Sequence, residues 1–311
     1  MRVFVAGASG AIGRRLVPRL VAAGHDVTGM TRSEAGAGAI RAAGARAAVV
    51  DVFDRDALDT AVAEAAPEVL VHQLTALPRR FEPRRRELYD ATNRVRTEGT
   101  RNLVVATRAC GTSRIVCQSV AFAYAPEGPR VKSEEAPLHD HAPPPFGAAV
   151  RALAEMEQMV LEPGAPEGVV LRYGWFYGPG TYFGEGGHTE SEVRRRRFPV
   201  VGEGGGLFSF VHVDDAAEAT VRALDHGRPG VYNVVDDEPG AMRDWLPAYA
   251  RAIGASPPRR VPGWLARLLA GRMTADMSVS LPGASNARAR HELGWEPRWP
   301  SWRKGFAEAP R

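Results

Sequence analysis

The sequence predicts an α/β protein built on a doubly wound parallel sheet. Three observations lead there: a glycine-rich turn behind the first apolar run, a series of short Val-rich runs, and helix-length spacers with helical periodicity between them. Residues Arg2 to Gly13 read RVFVAGASGAIG, an apolar strand that turns through Gly7, Gly10 and Gly13 into a helix pattern. Such a turn lets the backbone approach a pyrophosphate and aims helix N–H groups at its charge. The spacing is Gly-x-x-Gly-x-x-Gly rather than the commoner Gly-x-Gly-x-x-Gly, so the motif leans on its context. That context is VTGMTR (27–32), ARAAVV (45–50), EVLVHQL (68–74), RIVCQS (114–119) and GVVLRY (168–173), each the length of a buried strand. Between them, Ala11 to Ala23 and Asp56 to Ala66 place apolar residues three and four apart, and Gly24 ends the first as a C-terminal glycine does.

The 311 residues suffice for one large α/β domain with a smaller lobe. Forty basic against thirty-six acidic side chains leave a formal charge of +4, too mild to demand a nucleic-acid partner. No long apolar segment suggests a membrane span, and Met1 to Ala6 reads as strand rather than leader, so the expected location is cytoplasmic. Cys110 and Cys117 are the only cysteines, which argues against a disulfide scaffold. No His-x-x-x-His or His/Cys spacing suggests a metal, and no Gly-x-Ser-x-Gly elbow suggests a serine hydrolase. Two arginine clusters, Arg79, Arg80, Arg84, Arg85 and Arg86, and Arg194 to Arg197, read either as solvated helix faces or as anion sites.

GASGAIG, TNRVRTEGTRNLV (92–104), LRYGWFYGPGT (171–181) and FSFVHVDDAAEATVRAL (208–224) resemble, in order and spacing, the extended and atypical short-chain dehydrogenase/reductases, the NAD-dependent epimerase/dehydratase-like group. The likeness covers nearly the whole chain. It implies a Rossmann-type sheet with a small C-terminal substrate lobe: residues 1–174 binding NADP(H), 175–311 mainly binding substrate, with about 207–235 interleaved into the first part. By the same resemblance Gly7, Ser9, Gly10, Ala11 and Ile12 line the pyrophosphate, Asp51 and Val52 meet the adenine, and Gln73, Leu74 and Thr75 run beside the ribose. Asn93 takes the family's mid-helix position facing the sheet, and pairing into a homodimer would use the helices after strands four and five. Asp51 has a second reading as a helix cap.

The second strand ends Met30-Thr31-Arg32. A site for NAD usually ends that strand in an acid that grips the ribose 2′-hydroxyl, whereas Thr31 and Arg32 offer charge-assisted hydrogen bonds to a 2′-phosphate. Asp26 lies at the wrong end of the strand, and Glu34 is the residue that opposes the NADP reading.

The family's reductases use a Tyr-x-x-x-Lys pair on the helix after the fifth strand, together with a Ser or Thr, to move the proton. The matching helix here begins PPPFGAAVRALAEMEQMV, which puts Phe146 in the tyrosine's place and Val150 in the lysine's. The Ser/Thr position matches Val120, with Ser119 one residue earlier. Three functions remain open: an atypical NADP(H)-dependent oxidoreductase acting on a small carbonyl or hydroxyl compound, a redox-neutral isomerase, epimerase or dehydratase with retained cofactor, and a non-catalytic NADP(H)-sensing protein. For the first, Tyr124, Tyr173 and Ser119 are the candidate catalytic residues, since strand ends open into the ligand cleft of such sheets. Both tyrosines also read as core residues. Trp175, Phe176, Tyr177, Tyr182 and Phe183 suit a pocket wall, some of them core packing, and His188 follows in a glycine-rich context as a further substrate-side candidate. Asp214 reads as the cap of the helix after His212, and His72 as a backbone-bonded residue.

Overall fold

The computed structural model describes residues 1–78, 86–164 and 166–309. The first half alternates strand and helix: β1 (Arg2–Ala6), α1 (Gly13–Ala22), β2 (Asp26–Thr31), α2 (Glu34–Ala42), β3 (Arg46–Val49), α3 (Arg55–Ala65), β4 (Val69–His72), α4 (Arg86–Arg94), α5 (Thr100–Ala109) and β5 (Arg114–Val120). A π-turn, Val95–Gly99, runs between α4 and α5. After β6 (Val131–Lys132) come α6 (Phe146–Val160), β7 (Glu167–Tyr173), β8 (Trp175–Tyr177), α7 (His188–Arg194), β9 (Val200–Val201), β10 (Leu207–Phe208), β11 (Phe210–His212), α8 (Val213–Arg222) and β12 (Gly230–Val234). The chain ends with β13 (Gly240–Ala241), α9 (Met242–Ala252), β14 (Arg260–Val261), α10 (Gly263–Ala270), α11 (Arg272–Ser280), β15 (Gly283–Ala284), α12 (Ala287–Glu292) and α13 (Trp302–Glu308).

Seven strands form one parallel sheet in the order β12-β7-β5-β4-β1-β2-β3. Each of the five Val-rich runs that follow β1 in sequence is a strand of it, and β12 joins at the edge beside β7. A parallel sheet must be covered on both faces, which is why its strands carry apolar residues in succession rather than alternation. One face packs Val5, Val71, Val116 and Leu171 against Leu16 and Leu20 of α1 and Ala216 of α8. The other packs Phe4, Leu70, Ile115 and Val170 against Leu58 of α3, Leu103 of α5 and Val150 of α6. A separate aromatic cluster builds the smaller lobe around Trp245, Phe210, Phe183, Tyr249 and Phe306.

β5 and β7 pair with Ser119 opposite Arg172 and Val120 opposite Tyr173. Because successive side chains alternate faces, Ser119 and Arg172 lie on the α6 side of the sheet and Tyr173 on the α1/α8 side. The cap expected at Asp214 and the alternative cap reading of Asp51 are both corrected. α3 is capped by Asp54, whose carboxylate accepts from the Ala57 N–H at 3.2 Å, while Asp51 makes its own turn to the Phe53 N–H at 3.0 Å. α8 is capped by His212, whose Nδ1 accepts from the Asp214 N–H. Asp214 instead reaches the Arg19 guanidinium of α1 at 2.8 Å, where opposite charge offers more than a cap already filled.

The β1–α1 turn leaves no room for side chains at two positions. Gly7 has φ of +93°, and a Cβ on it would sit 2.8 Å from the Gln73 backbone. A Cβ on Gly13 would fall 2.4 Å from the Gly7 carbonyl oxygen. Gly13→Ala is expected to lower stability by at least about 2 kcal/mol, since backbone must move to admit it, and to weaken dinucleotide binding with it. A thermal melt and an NADPH titration of the variant measure both.

Candidate active site

The turn that excludes side chains also opens α1. Gly10 N–H closes on the Gly7 carbonyl at 3.0 Å, and the Gln73 N–H donates to the Ala6 carbonyl at 2.8 Å, so the ends of β1 and β4 lie side by side. α1 opens at Ile12 without a side-chain cap, which leaves no carboxylate or hydroxyl to compete with an incoming anion. Gly10 and Ala11 are exposed at this turn, with Ser9 half-buried and Ile12 packed beneath. The missing Cβ atoms let the turn pack directly on the Gln73 backbone and on itself, the close backbone approach that a pyrophosphate cradle requires.

Beside the cradle, the Ser9 and Thr31 hydroxyls meet at 3.1 Å. Arg32 is exposed just beyond β2, and among the described residues no carboxylate pairs with it. Glu34 is turned along its own helix, 3.8 Å from the Arg41 guanidinium. Val52 is buried, and its carbonyl accepts from Asn102 Nδ2 at 2.9 Å, which holds the 51–53 segment against α5. Asn93 lies near the end of α4, where its amide oxygen accepts from Arg96 at 3.3 Å. Leu74 is half-buried and Thr75 exposed along the β4 end. The Leu74 N–H donates to His72 Nδ1, and Thr100 meets His72 Nε2 at 2.9 Å. Burial lowers the His72 pKa to about 4, so that ring is neutral and structural.

α6 presents Phe146 in its first turn and buries Val150 completely in the sheet-facing core. Neither can carry a proton. The three hydroxyls that could replace them are each about 1% exposed and bonded within the protein. Ser119 Oγ donates to Glu157 of α6 at 2.6 Å, and the same carboxylate receives the Arg172 guanidinium in a two-pronged pair at 2.8 and 2.5 Å. Arg172 Nη1 donates to the Tyr124 hydroxyl at 2.9 Å, and that hydroxyl donates to the Asn233 amide oxygen at 2.6 Å. Asn233 is held in turn by Glu134 and the Ser285 carbonyl.

Across the sheet, Thr220 gives its proton to the Ala216 carbonyl and so accepts from the Tyr173 hydroxyl at 2.7 Å. Gln73 Nε2 fills the other side of that hydroxyl at 3.1 Å. Burial raises both tyrosine pKa values, since a phenolate would be stranded away from water.

On the lobe side, Trp175 stacks on Phe122 with ring centroids 4.1 Å apart, and both are half-buried. Tyr182 donates its hydroxyl to the Pro78 carbonyl and lies edge-on to His188. Phe183 and Tyr177 are core residues, 5% and 3% exposed. Of the arginine clusters, Arg194 pairs with Glu190 at 2.8 Å and Arg195 with Glu192 at 4.0 Å. Arg79, Arg80, Arg84 and Arg85 lie outside the described residues, as does the side chain of Arg86, which opens α4.

Three features escaped sequence reasoning. Glu157 and Arg172 form a buried pair that no spacing announces. Arg96, 9% exposed on the π-turn, has no carboxylate partner among the described residues; its Nη1 donates to the Asn93 amide oxygen and, at 3.5 Å, to the carbonyl of Ala149 beside Val150. Burial brings its pKa down to about 10. Glu127, His139 and His141 converge in space, although the His-x-His pair was the sole hint in the sequence.

Tyr173→Phe leaves Gln73 Nε2 without its acceptor and is expected to cost about 1–2 kcal/mol of stability. Turnover in the folded variant is expected to survive, as its proton is already committed to Thr220. A denaturant melt and a steady-state assay check the two halves.

The model of the NAD dependent epimerase/dehydratase family matches residues 3–235. The chain is 48% identical over 308 residues to a 3-diazoavenalumate denitrifying reductase of a Streptomyces species, covering 98% of this chain and 99% of that one. It is 30% identical over 251 residues to a 4-hydroxy-2-methyl-3-oxo-4-farnesyl-3,4-dihydroquinoline-1-oxide ketoreductase of Stigmatella aurantiaca, covering 79% of this chain and 71% of that one. Among solved structures, the Thermus thermophilus UDP-glucose 4-epimerase complex with NAD superposes with a TM-score of 0.72 at 26% identity, over 99% of this chain and 97% of that one. A human epimerase family protein with NADPH reaches 0.77 at 22% identity, over 99% of both chains. Together with the glycine cradle and the seven-stranded parallel sheet, these matches make the chain a member of the NAD-dependent epimerase/dehydratase family of short-chain dehydrogenase/reductase-like proteins.

Proposed function

We propose that this protein is an NADPH-dependent reductase whose acceptor is a diazonium compound. The observation that carries this reading is the commitment of the three candidate hydroxyls: Ser119, Tyr124 and Tyr173 spend their protons inside the protein, and by the resemblance Phe146 and Val150 would stand where the relay belongs. Gly7, Ser9, Gly10, Ala11 and Ile12 would hold the pyrophosphate, with Asp51 and Val52 beside the adenine and Gln73, Leu74 and Thr75 along the ribose. Bound there, the dinucleotide supplies a hydride.

What the protein must add depends on the acceptor. A ketone becomes an alkoxide and needs a proton from a placed acid or from other donors. A diazonium cation, R–N2+, takes a hydride at its terminal nitrogen to give R–N=NH, which loses dinitrogen and leaves R–H. Charge and atoms balance with no proton consumed. The relative named for denitrifying a diazo compound supports that class, and a relay of tyrosine and lysine would have no task in it. The half-buried aromatic surface of Trp175 and Phe122, with Tyr182 and His188 nearby, suits a flat unsaturated substrate. Residues 175–311, apart from the interleaved stretch about 207–235, would form the substrate side.

The second reading is ketone reduction with the proton drawn from water, which the ketoreductase relative favours. Purified protein should consume one NADPH for each arenediazonium carboxylate converted, releasing one dinitrogen and the deaminated arene, followed by absorbance and mass spectrometry. Turnover of ketones with an inert diazonium would install the second reading, and tight NADPH binding without any turnover would mark a sensor. Independently, Arg32 and the Thr31–Ser9 hydroxyl pair are expected to favour the 2′-phosphate, giving NADPH a lower dissociation constant than NADH. Tighter NADH binding would overturn that choice.

A further inference from the structure

We infer that Glu127, His139 and His141 form a binding site for a divalent transition-metal ion of the zinc class. Their ligand atoms, one from each side chain, all lie within 4.8 Å of one another. Tetrahedral coordination with bonds near 2.0–2.2 Å puts ligand atoms roughly 3.4 Å apart. Small rotations of the two exposed side chains, Glu127 and His141, close that gap while half-buried His139 stays fixed.

The backbone brings the three together by a short antiparallel excursion between β5 and α6. Ala125 N–H donates to the Pro137 carbonyl at 2.9 Å, and His139 N–H to the Ala123 carbonyl at 2.8 Å, so residue 127 returns beside residues 139–141. The Ala142 N–H then closes a turn on the His139 carbonyl, and the two imidazoles meet edge to face with centroids 4.7 Å apart.

Each ligand is also prepared by its neighbours. His139 Nδ1 is buried and has no hydrogen-bond partner among the described residues, a cost that a metal ion or its bound water would remove. Asp140 approaches His141 Nδ1 at 3.4 Å, the carboxylate–histidine arrangement that orients an imidazole and leaves Nε2 to ligate. Arg151 is occupied by the Asp140 carbonyl, and Lys132 donates to the Glu127 carbonyl, so neither cation pairs with the Glu127 carboxylate. Two imidazoles and one carboxylate leave a fourth position open. The site borders the start of α6: the His139 and Phe146 rings lie 6.3 Å apart.

The test uses the full chain, stripped with chelator and dialysed against Zn2+, with Co2+ as a spectroscopic probe. One Zn2+ per chain is expected, together with visible Co2+ absorption of tetrahedral intensity. Glu127→Gln and His141→Ala change exposed side chains and should each weaken binding at least about tenfold, with metal-free melting temperature and NADPH affinity unmoved. A wild-type chain that takes up no Zn2+ would overturn the inference. So would retention of full affinity in both variants, which would place any bound metal elsewhere.

Discussion

The close approach of the β1–α1 turn to the end of β4 is the constraint from which the rest of the molecule follows. Gly7 permits it by lacking a side chain where the Gln73 backbone passes, Gly13 lets α1 start tight against the Gly7 and Ala8 backbone, and that start of α1 is uncapped. A helix start in that condition attracts an anion through its N–H groups and dipole. The parallel sheet fixes the geometry. Because all seven strands run the same way, their C-terminal ends and the loops that follow gather along one edge, where the cradle, Thr31 and the Gln73 loop become neighbours.

The same sheet explains why the polar residues near the cleft are structural. Ser119, Arg172 and Glu157 sit between β5, β7 and α6, and an ion pair this deep is kept only when its remaining valences are filled. Ser119 fills one of them, and Tyr124 with Asn233 extends the network to β12. That chain of bonds ties the edge strand β12 and the excursion after β5 to the same buried charge. Losing Arg172 alone would strand the Glu157 carboxylate, which gives the network its hold on local geometry.

The apolar first half of α6 and the internal commitment of the nearby hydroxyls belong to the same packing. A buried lysine at position 150 would have to sit amid Leu153, Val170 and the other residues of that core face, where an ammonium is poorly tolerated without a partner. Val150 fills that space as an apolar core residue instead.

The sequence by itself determined the sheet. Val-rich runs bounded by glycine and by helix-period spacers can be satisfied in few ways other than parallel strands covered on both faces, and GASGAIG states the need for glycine locally. It also determined that Phe146 and Val150 carry no transferable proton in any fold. Only the tertiary structure decided which face each strand residue occupies. Ser119 and Tyr173 look equivalent as strand-end polar residues, yet the β5–β7 register sends them to opposite sides of the sheet. Caps at Asp54 and His212 rather than Asp51 and Asp214 differ from their neighbours by where the first helical turn begins, which packing sets to within a residue or two. The Glu157–Arg172 pair joins residues 15 positions apart through the packing of α6 on β7, and Glu127 meets His139 and His141, 12 and 14 positions on, through a folded excursion. Hydrophobic periodicity records which face is buried and says nothing about which distant polar atoms meet, because that depends on the path of the backbone between them.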